Sequence, residues 1–213
     1  LMNGYKGLKN QEFSFADSKL VPLREKDKFL IMKWRNDQID FLRQDKILTK
    51  RDQSYYFKNT ISKLYNHSSP NQLLFSLIKE STCLGYGGLV HINWIDKNAE
   101  ISFIINTELE KEYFKSYWTV FLEMIENLAF EELNFHKLYV FAFDLRPNLY
   151  DVLLDSDYFR DAVLNNHCYF NGRYIDVGAY HPYRGSNTYL LYKKGWNGIN
   201  IDIHSFSIDL FNY

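Results

Sequence analysis

Between residues 72 and 133 the hydrophobic period of the chain switches once, from about two to about 3.6, and this constrains the fold most. QLLFSLIKE (72–80), LGYGGLVHINWID (84–96) and AEISFIIN (99–106) read as strands. Turns at Ser81-Thr82-Cys83 and at Asp96-Lys97-Asn98 separate them. Such short connections predict an antiparallel meander. The meander feeds KEYFKSYWTVFLEMIENLAFEEL (111–133), whose apolar residues recur at i, i+3 and i+4 and predict a long helix.

Flanking segments extend this core. Residues 1–18 are polar and weakly patterned, and read as a flexible lead-in. KLVPLR (19–24) predicts a short strand that Pro22 confines to an edge or strand end. KDKFLIMKWRND (26–37) and TKRDQSYYFKNTISKLYNHSS (49–69) predict two amphipathic helices, the second closed by the Ser-Ser-Pro-Asn turn at 68–71. HKLYVFAFDL (136–145) is a nearly continuous apolar run, expected of a strand covered on both faces. RPNLYDVLLDS (146–156) predicts a short helix with Pro147 in its first turn. DAVLNNHCYF (161–170) and RYIDVGAY (173–180) are expected to form a hairpin around Asn171-Gly172.

Bulk properties exclude several classes. The 213 residues carry a formal net charge of −1, so no basic footprint argues for nucleic acid or an anionic membrane. No apolar run approaches a membrane span, and the N-terminus lacks a signal-peptide core. Two cysteines, Cys83 and Cys168, fit a reduced, cytoplasmic protein. His91, His136 and His167 share no metal-pair spacing, so no metal is expected.

The order β-α-α-β-β-β-α-β-α-β-β, carried by AEISFII at 99–105 and HKLYVFAFDLRPNLYDVL at 136–153, resembles the GNAT superfamily of acyl-CoA-dependent N-acyltransferases over about 19–180. The resemblance is closest to the branch of ribosomal-protein and sugar-nucleotide N-acetyltransferases. It implies an α/β fold with a mixed, mostly antiparallel sheet and flanking helices, and acetyl-CoA as substrate. The backbone of Phe103, Ile104 and Ile105 would line the pantetheine arm. The stretch 108–118, with Lys115, Ser116, Tyr117 and Trp118, would form the phosphate loop and first helical turn. That stretch departs from the family's glycine-rich loop: it contains no glycine, and Glu108, Glu110 and Glu112 surround the expected anion site. Glu100 would be the base that takes the amine proton, or else a strand-end carboxylate. The family's acid, often a Tyr on the next helix, falls near Leu153 here; Tyr150, one turn earlier, would replace it or merely pack.

DVGAYHPYRGSNTYLLYKKGWNGINID (176–202) resembles the opening motif of FkbM-type S-adenosylmethionine-dependent methyltransferases over about 174–213. It implies a strand-helix-strand fragment (domain 181–213), with Asp176, Gly178, Ala179 and Asp202 at a vestigial S-adenosylmethionine site. Tyr174 to Val177 would complete the first fold, and the remainder would begin a second one, from a gene junction or a truncated bifunctional protein. A usable S-adenosylmethionine site is expected only if a complete methyltransferase domain follows. The leading expectation is acetyl transfer from acetyl-CoA to a small-molecule amine, with a nucleotide-linked amino sugar of surface-polysaccharide biosynthesis as the expected acceptor. The alternatives are a methyltransferase fragment and a non-catalytic module.

Overall fold

The computed structural model describes residues 4–42, 44–143, 145–164, 173–177 and 197–201. The chain divides into two compact units, Leu1–Tyr158 and Phe159–Tyr213.

The first unit is built on a six-stranded sheet in the order β1-β2-β3-β4-β5-β6. Its strands are β1 (Phe13–Phe15), β2 (Ser18–Pro22), β3 (Leu73–Lys79), β4 (Thr82–Asn93), β5 (Asn98–Ile105) and β6 (Lys137–Tyr139). β1 to β5 pair antiparallel, and β6 joins β5 in parallel. The expected meander is therefore present. The helices are α1 (Lys28–Asp37), α2 (Lys50–Tyr56), α3 (Ser62–Leu64), α4 (Thr107–Glu126) and α5 (Pro147–Asp155). A π-helical turn at Phe57–Ile61 joins α2 to α3, and another at Asn127–Glu132 extends α4. Thr49 and Asp52 form a reciprocal capping box that starts α2.

Three expectations are corrected. The lead-in is packed: Tyr5 is buried, and its hydroxyl donates to the Leu74 carbonyl at 2.7 Å while accepting from the Leu74 amide at 2.9 Å. Such a two-sided bond partners the Leu74 amide and adds a second donor to the Leu74 carbonyl, which also accepts from the Leu23 amide at 3.0 Å. The apolar run 136–145 contributes only three residues of strand. Val140 and Ala142 pack against the core without a ladder, so their apolarity reflects burial rather than strand pairing. The long helix begins at Thr107, four residues before the expected start, because Asn106 caps it by accepting from the Glu108 amide at 3.1 Å.

Ladder partners share a face of the sheet. Leu20, Leu77, Gly85 and Ile105 form one row across the strands, and Phe75, Gly87 and Phe103 form the next. Phe103 stacks on Phe121 of α4 at 4.1 Å and meets Trp118 edge-on at 5.1 Å. Gly87 permits close approach of the strands: a Cβ there would lie 2.2 Å from the Ser102 carbonyl oxygen and 2.7 Å from Phe103 Cα.

In the second unit, β7 (Arg173–Val177) pairs with β8 (Asn197–Ile201) in parallel, from Arg173 opposite Asn197 to Val177 opposite Ile201. Among the described residues, then, Tyr174 to Val177 pair with β8 and do not extend the six-stranded sheet. The expected hairpin turn at Asn171-Gly172 and the expected helix at 186–195 lie outside the described residues. So do Gly178, Ala179 and Asp202.

Candidate active site

β5 is paired on both edges only at its beginning. Asn98, Ala99 and Glu100 lie opposite Lys137, Leu138 and Tyr139 of β6. From Ile101 to Ile105 the outer edge has no strand partner among the described residues, while the inner edge stays paired to β4. The strands part directly after Glu100. The open edge then runs into α4, since the Asn106 amide donates to the Leu84 carbonyl at 2.7 Å and the helix starts at the next residue. An unpaired strand edge offers backbone groups to an extended ligand. A helix start beside it favours negative charge.

Alternation along β5 divides the side chains. Ile101, Phe103 and Ile105 are buried, Phe103 against α4. Glu100, Ser102 and Ile104 lie on the other face with Tyr86, whose hydroxyl accepts from Arg35 Nη1 of α1 at 2.8 Å. Phe103, Ile104 and Ile105 thus have buried side chains and offer a ligand their backbone alone.

Glu100, the candidate base, stands where the strands part. Its carboxylate lies 2.7 Å from His91 Nδ1, with 13% of its side chain exposed against 62% for His91. His91 has φ of +48°, at a break in the β4–β5 register between Val90 and Asn93. A non-glycine residue with positive φ is held there by its surroundings. The sequence reading considered His91 only as a metal ligand. A bulge leaves no periodic trace, so its pairing with Glu100 was not readable.

Lys115, Ser116, Tyr117 and Trp118 are not at the helix start. They lie more than two turns into α4. Lys115 pairs with exposed Asp155, and the Ser116 hydroxyl donates to the Tyr113 carbonyl at 3.0 Å. The Tyr117 ring lies 5.8 Å from that of Tyr113. Trp118 is 3% exposed in the core, its indole N–H without a partner. The glycine-free stretch 108–118 therefore lies wholly within α4, from its first turn onward, and is not a loop. Tyr150 occupies the first turn of α5 and is half-buried.

Three other residues gather at the start of α4. Gln38, 1% exposed at the end of α1, donates to the Ile105 carbonyl at 2.9 Å. Arg146, which caps α5, donates from Nη2 to Gln38 Oε1 at 2.7 Å and pairs with Glu110 at 2.7 Å. Its guanidinium lies over the Phe41 ring at 4.4 Å, and its buried Nε has no hydrogen-bond partner. Burial raises the pKa of Glu110, and Arg146 only partly opposes that rise. Burial lowers the pKa of Arg146, with Glu110 opposing. Lys33 meets Glu108 at 3.3 Å, so two of the three acids that the sequence placed around an anion site are each matched by a cation. The visible signal for Arg146 was its position before Pro147, which fixes it at a helix start.

The arrangement can take an extended ligand along the unpaired edge, with negative charge favoured at the helix start. Arg146 and Lys33 stand at that helix start. Among the described residues no group of three or more His, Cys, Asp or Glu could hold a metal, and no helix is long and apolar enough to cross a membrane.

A family model described as an acetyltransferase (GNAT) domain matches residues 20–178. The match includes β7, although that strand pairs with β8. No curated protein matches the chain by sequence. A Vibrio cholerae spermidine N-acetyltransferase, solved with CoA and spermine, is similar in structure, with a TM-score of 0.61 and 18% identity over 73% of this chain and 88% of that one. A ribosomal-protein-S5-alanine acetyltransferase from Vibrio fischeri gives 0.60 and 11% identity over 76% and 90%. At such identities the likeness extends to the fold.

Proposed function

The chain belongs to the GNAT acetyltransferase family, with acetyl-CoA as donor, and from that premise we propose acetyl transfer to a small-molecule amine at the β5 cleft. The parting of β5 from β6 immediately after Glu100 carries this reading, since it puts an open edge, a carboxylate and a helix start in one continuous segment.

The neutral amine attacks the thioester carbonyl; an N–C bond forms and the C–S bond breaks. Free amides between Ile101 and Ile105 orient the thioester and bond its oxygen. Glu100 accepts the amine proton through water, and His91 fixes the carboxylate. Tyr150 protonates the departing thiolate. Arg146 and Lys33 meet the phosphates, in place of the backbone contacts that a glycine-rich loop would make.

The acceptor proposed is an amino sugar carried on a nucleotide, in surface-polysaccharide synthesis. The branch to which the sequence is most similar supports it. The solved Vibrio cholerae relative binds spermine, and a polyamine is the competing acceptor. Purified protein supplied with acetyl-CoA and a panel of amines should release CoA thiol and yield an N-acetyl product with at least one of them. Calorimetry should show acetyl-CoA binding. Absence of both binding and product would leave a non-catalytic module.

A second reading concerns the Phe159–Tyr213 unit. The parallel β7–β8 pair, with Asp176 on β7, is what a strand-crossover-strand opening of a methyltransferase-like fold requires. Titration with S-adenosylmethionine tests it, and lack of heat would reduce the unit to a shape without that ligand.

A further inference from the structure

The cleft holds two guanidinium groups in opposite electrostatic states. Arg146 is neutralised by Glu110. Arg35 donates from Nη1 to the Tyr86 hydroxyl at 2.8 Å and from Nε to Gln44 Oε1 at 3.0 Å, and both acceptors are uncharged. Among the described residues no carboxylate pairs with it. Arg24 is matched by Asp27, and Lys33 by Asp37 and Glu108. Arg35 is half-buried, and a guanidinium held only by neutral hydrogen-bond partners keeps its full charge available to an anion.

Its location ties it to the cleft. Arg35 and Gln38 are three residues apart on α1 and so share a side of the helix. Gln38 holds the Ile105 carbonyl at the end of the open edge. Tyr86 lies opposite Ile104 in the ladder, on the face that carries Glu100 and Ser102. The cation therefore belongs to the face with the proposed base, away from the apolar contacts of α4. Its placement is fixed from behind: Gln44 is buried and donates to Asn36 Oδ1 at 3.0 Å, and Asn36 Oδ1 also accepts from the Leu48 amide at 2.8 Å. Tyr56, exposed at the end of α2 and electrostatically coupled to Arg35 and Tyr86, adds a second phenol.

We propose that Arg35, held by Gln44 and Tyr86, binds an anionic group of the acceptor, so that the amine acetylated here also carries a carboxylate or a phosphate. A planar guanidinium suits either by a forked pair of hydrogen bonds, and its Nη2 has no protein partner among the described residues. Polycationic acceptors are repelled by the same charge. This rests on acetyl transfer at the Glu100 cleft, and it adds the acceptor's charge class to that reading.

The test compares matched amines with acetyl-CoA in wild type and in Arg35→Gln. Glucosamine 6-phosphate is set against glucosamine, 4-aminobutyrate against butylamine, and spermidine serves as the polycation. Expected is roughly tenfold or greater preference in kcat/KM for one anionic member of a pair, expressed in KM. The pair showing it identifies phosphate or carboxylate as the source. Arg35→Gln should abolish that preference, the anionic partner's kcat/KM falling much further than the neutral partner's, and Arg35→Lys should restore part of it. Tyr86→Phe, which keeps the ring, covers the case in which Arg35→Gln fails to fold. Calorimetry of inorganic pyrophosphate and of acetate with the acetyl-CoA-saturated protein reads the anion site without turnover. Arg35-dependent anion binding with no amine acetylated would sustain the site and sink acetyl transfer. Equal or better use of glucosamine, butylamine or spermidine, with no Arg35-dependent anion binding, would overturn the inference and leave acetyl transfer standing.

Discussion

On one face of the β4–β5 ladder, Phe103 stacks on Phe121 under α4, with Ile101 and Ile105 buried on either side. On the other face, reached by the alternate residues of β5, Glu100 meets His91 and Tyr86 holds Arg35. The first face is closed by apolar burial and ring packing, which are non-directional and tolerate no water. The second also buries Ile104 and Tyr86, but adds polar contacts with fixed geometry, Glu100 to His91 and Arg35 to Tyr86. One pair of strands thus serves stability and chemistry separately, because side chains alternate across a sheet. Substitutions on the two faces should therefore separate into losses of folding and losses of turnover.

The largest effect is expected on the apolar face. Phe121→Ala removes a fully buried ring and should cost about 3–5 kcal/mol of stability. Urea unfolding of the wild type and variant measures it. A loss under about 1 kcal/mol would mean that the ring stack with Phe103 is not a main support of the sheet.

Glu100→Gln should do the reverse. Turnover should fall by roughly 100-fold, in kcat more than in KM, with the melting temperature nearly unchanged. His91→Gln, which keeps a group able to bond the carboxylate, should lose less, roughly threefold to tenfold. Full turnover in Glu100→Gln would remove the carboxylate from the mechanism and reduce it to a strand-end polar contact.

Legibility in the sequence follows the same division. The strands at 72–80, 84–96 and 99–106 were readable because their alternation reports which face is buried. That alternation does not report which edge is paired, so the parting of β5 from β6 after Glu100 left no trace. Asn106 was a readable helix cap, but the expected phosphate loop took its place, and the start of α4 was set too late. Lys115 to Trp118 were then assigned to a turn they do not occupy. His91 was hidden for a different reason: its bond to Glu100 depends on a bulge, and an inserted residue disturbs any period. Arg35 and Arg146 were unreadable as a contrast, since only folding decides which of two cations receives a carboxylate.

Arg146 offers a smaller and mixed effect, because it serves both structure and the proposed phosphate contact. Arg146→Gln should raise KM for acetyl-CoA by roughly tenfold and also lower stability, since Glu110 loses its partner in a partly buried place. Adding Glu110→Gln should recover the stability and leave KM high. Recovery of both together would make the pair purely structural, and the phosphate role would fall.

The smallest effect tests a carboxylate on the apolar side. Glu126 of α4 accepts from the Tyr158 hydroxyl at 2.8 Å. Burial raises its pKa, with Tyr158 partly opposing and the nearby acids Glu123 and Asp157 adding to the rise. A carboxylate with a raised pKa holds its proton longer in the folded chain than in the unfolded one. Its stabilising contribution is complete below the ordinary carboxylate value and is lost as pH rises through the raised one. Glu126→Gln cannot ionise, so its stability relative to wild type should increase from about pH 4 to pH 7. Partial exposure screens the charge, so the increase should stay within a few tenths of a kcal/mol, about 0.3. Paired urea midpoints across that range measure it. A decrease would show that the Tyr158 hydrogen bond outweighs desolvation, and Glu126 would then belong with the carboxylates held by specific partners, as Glu100 is by His91.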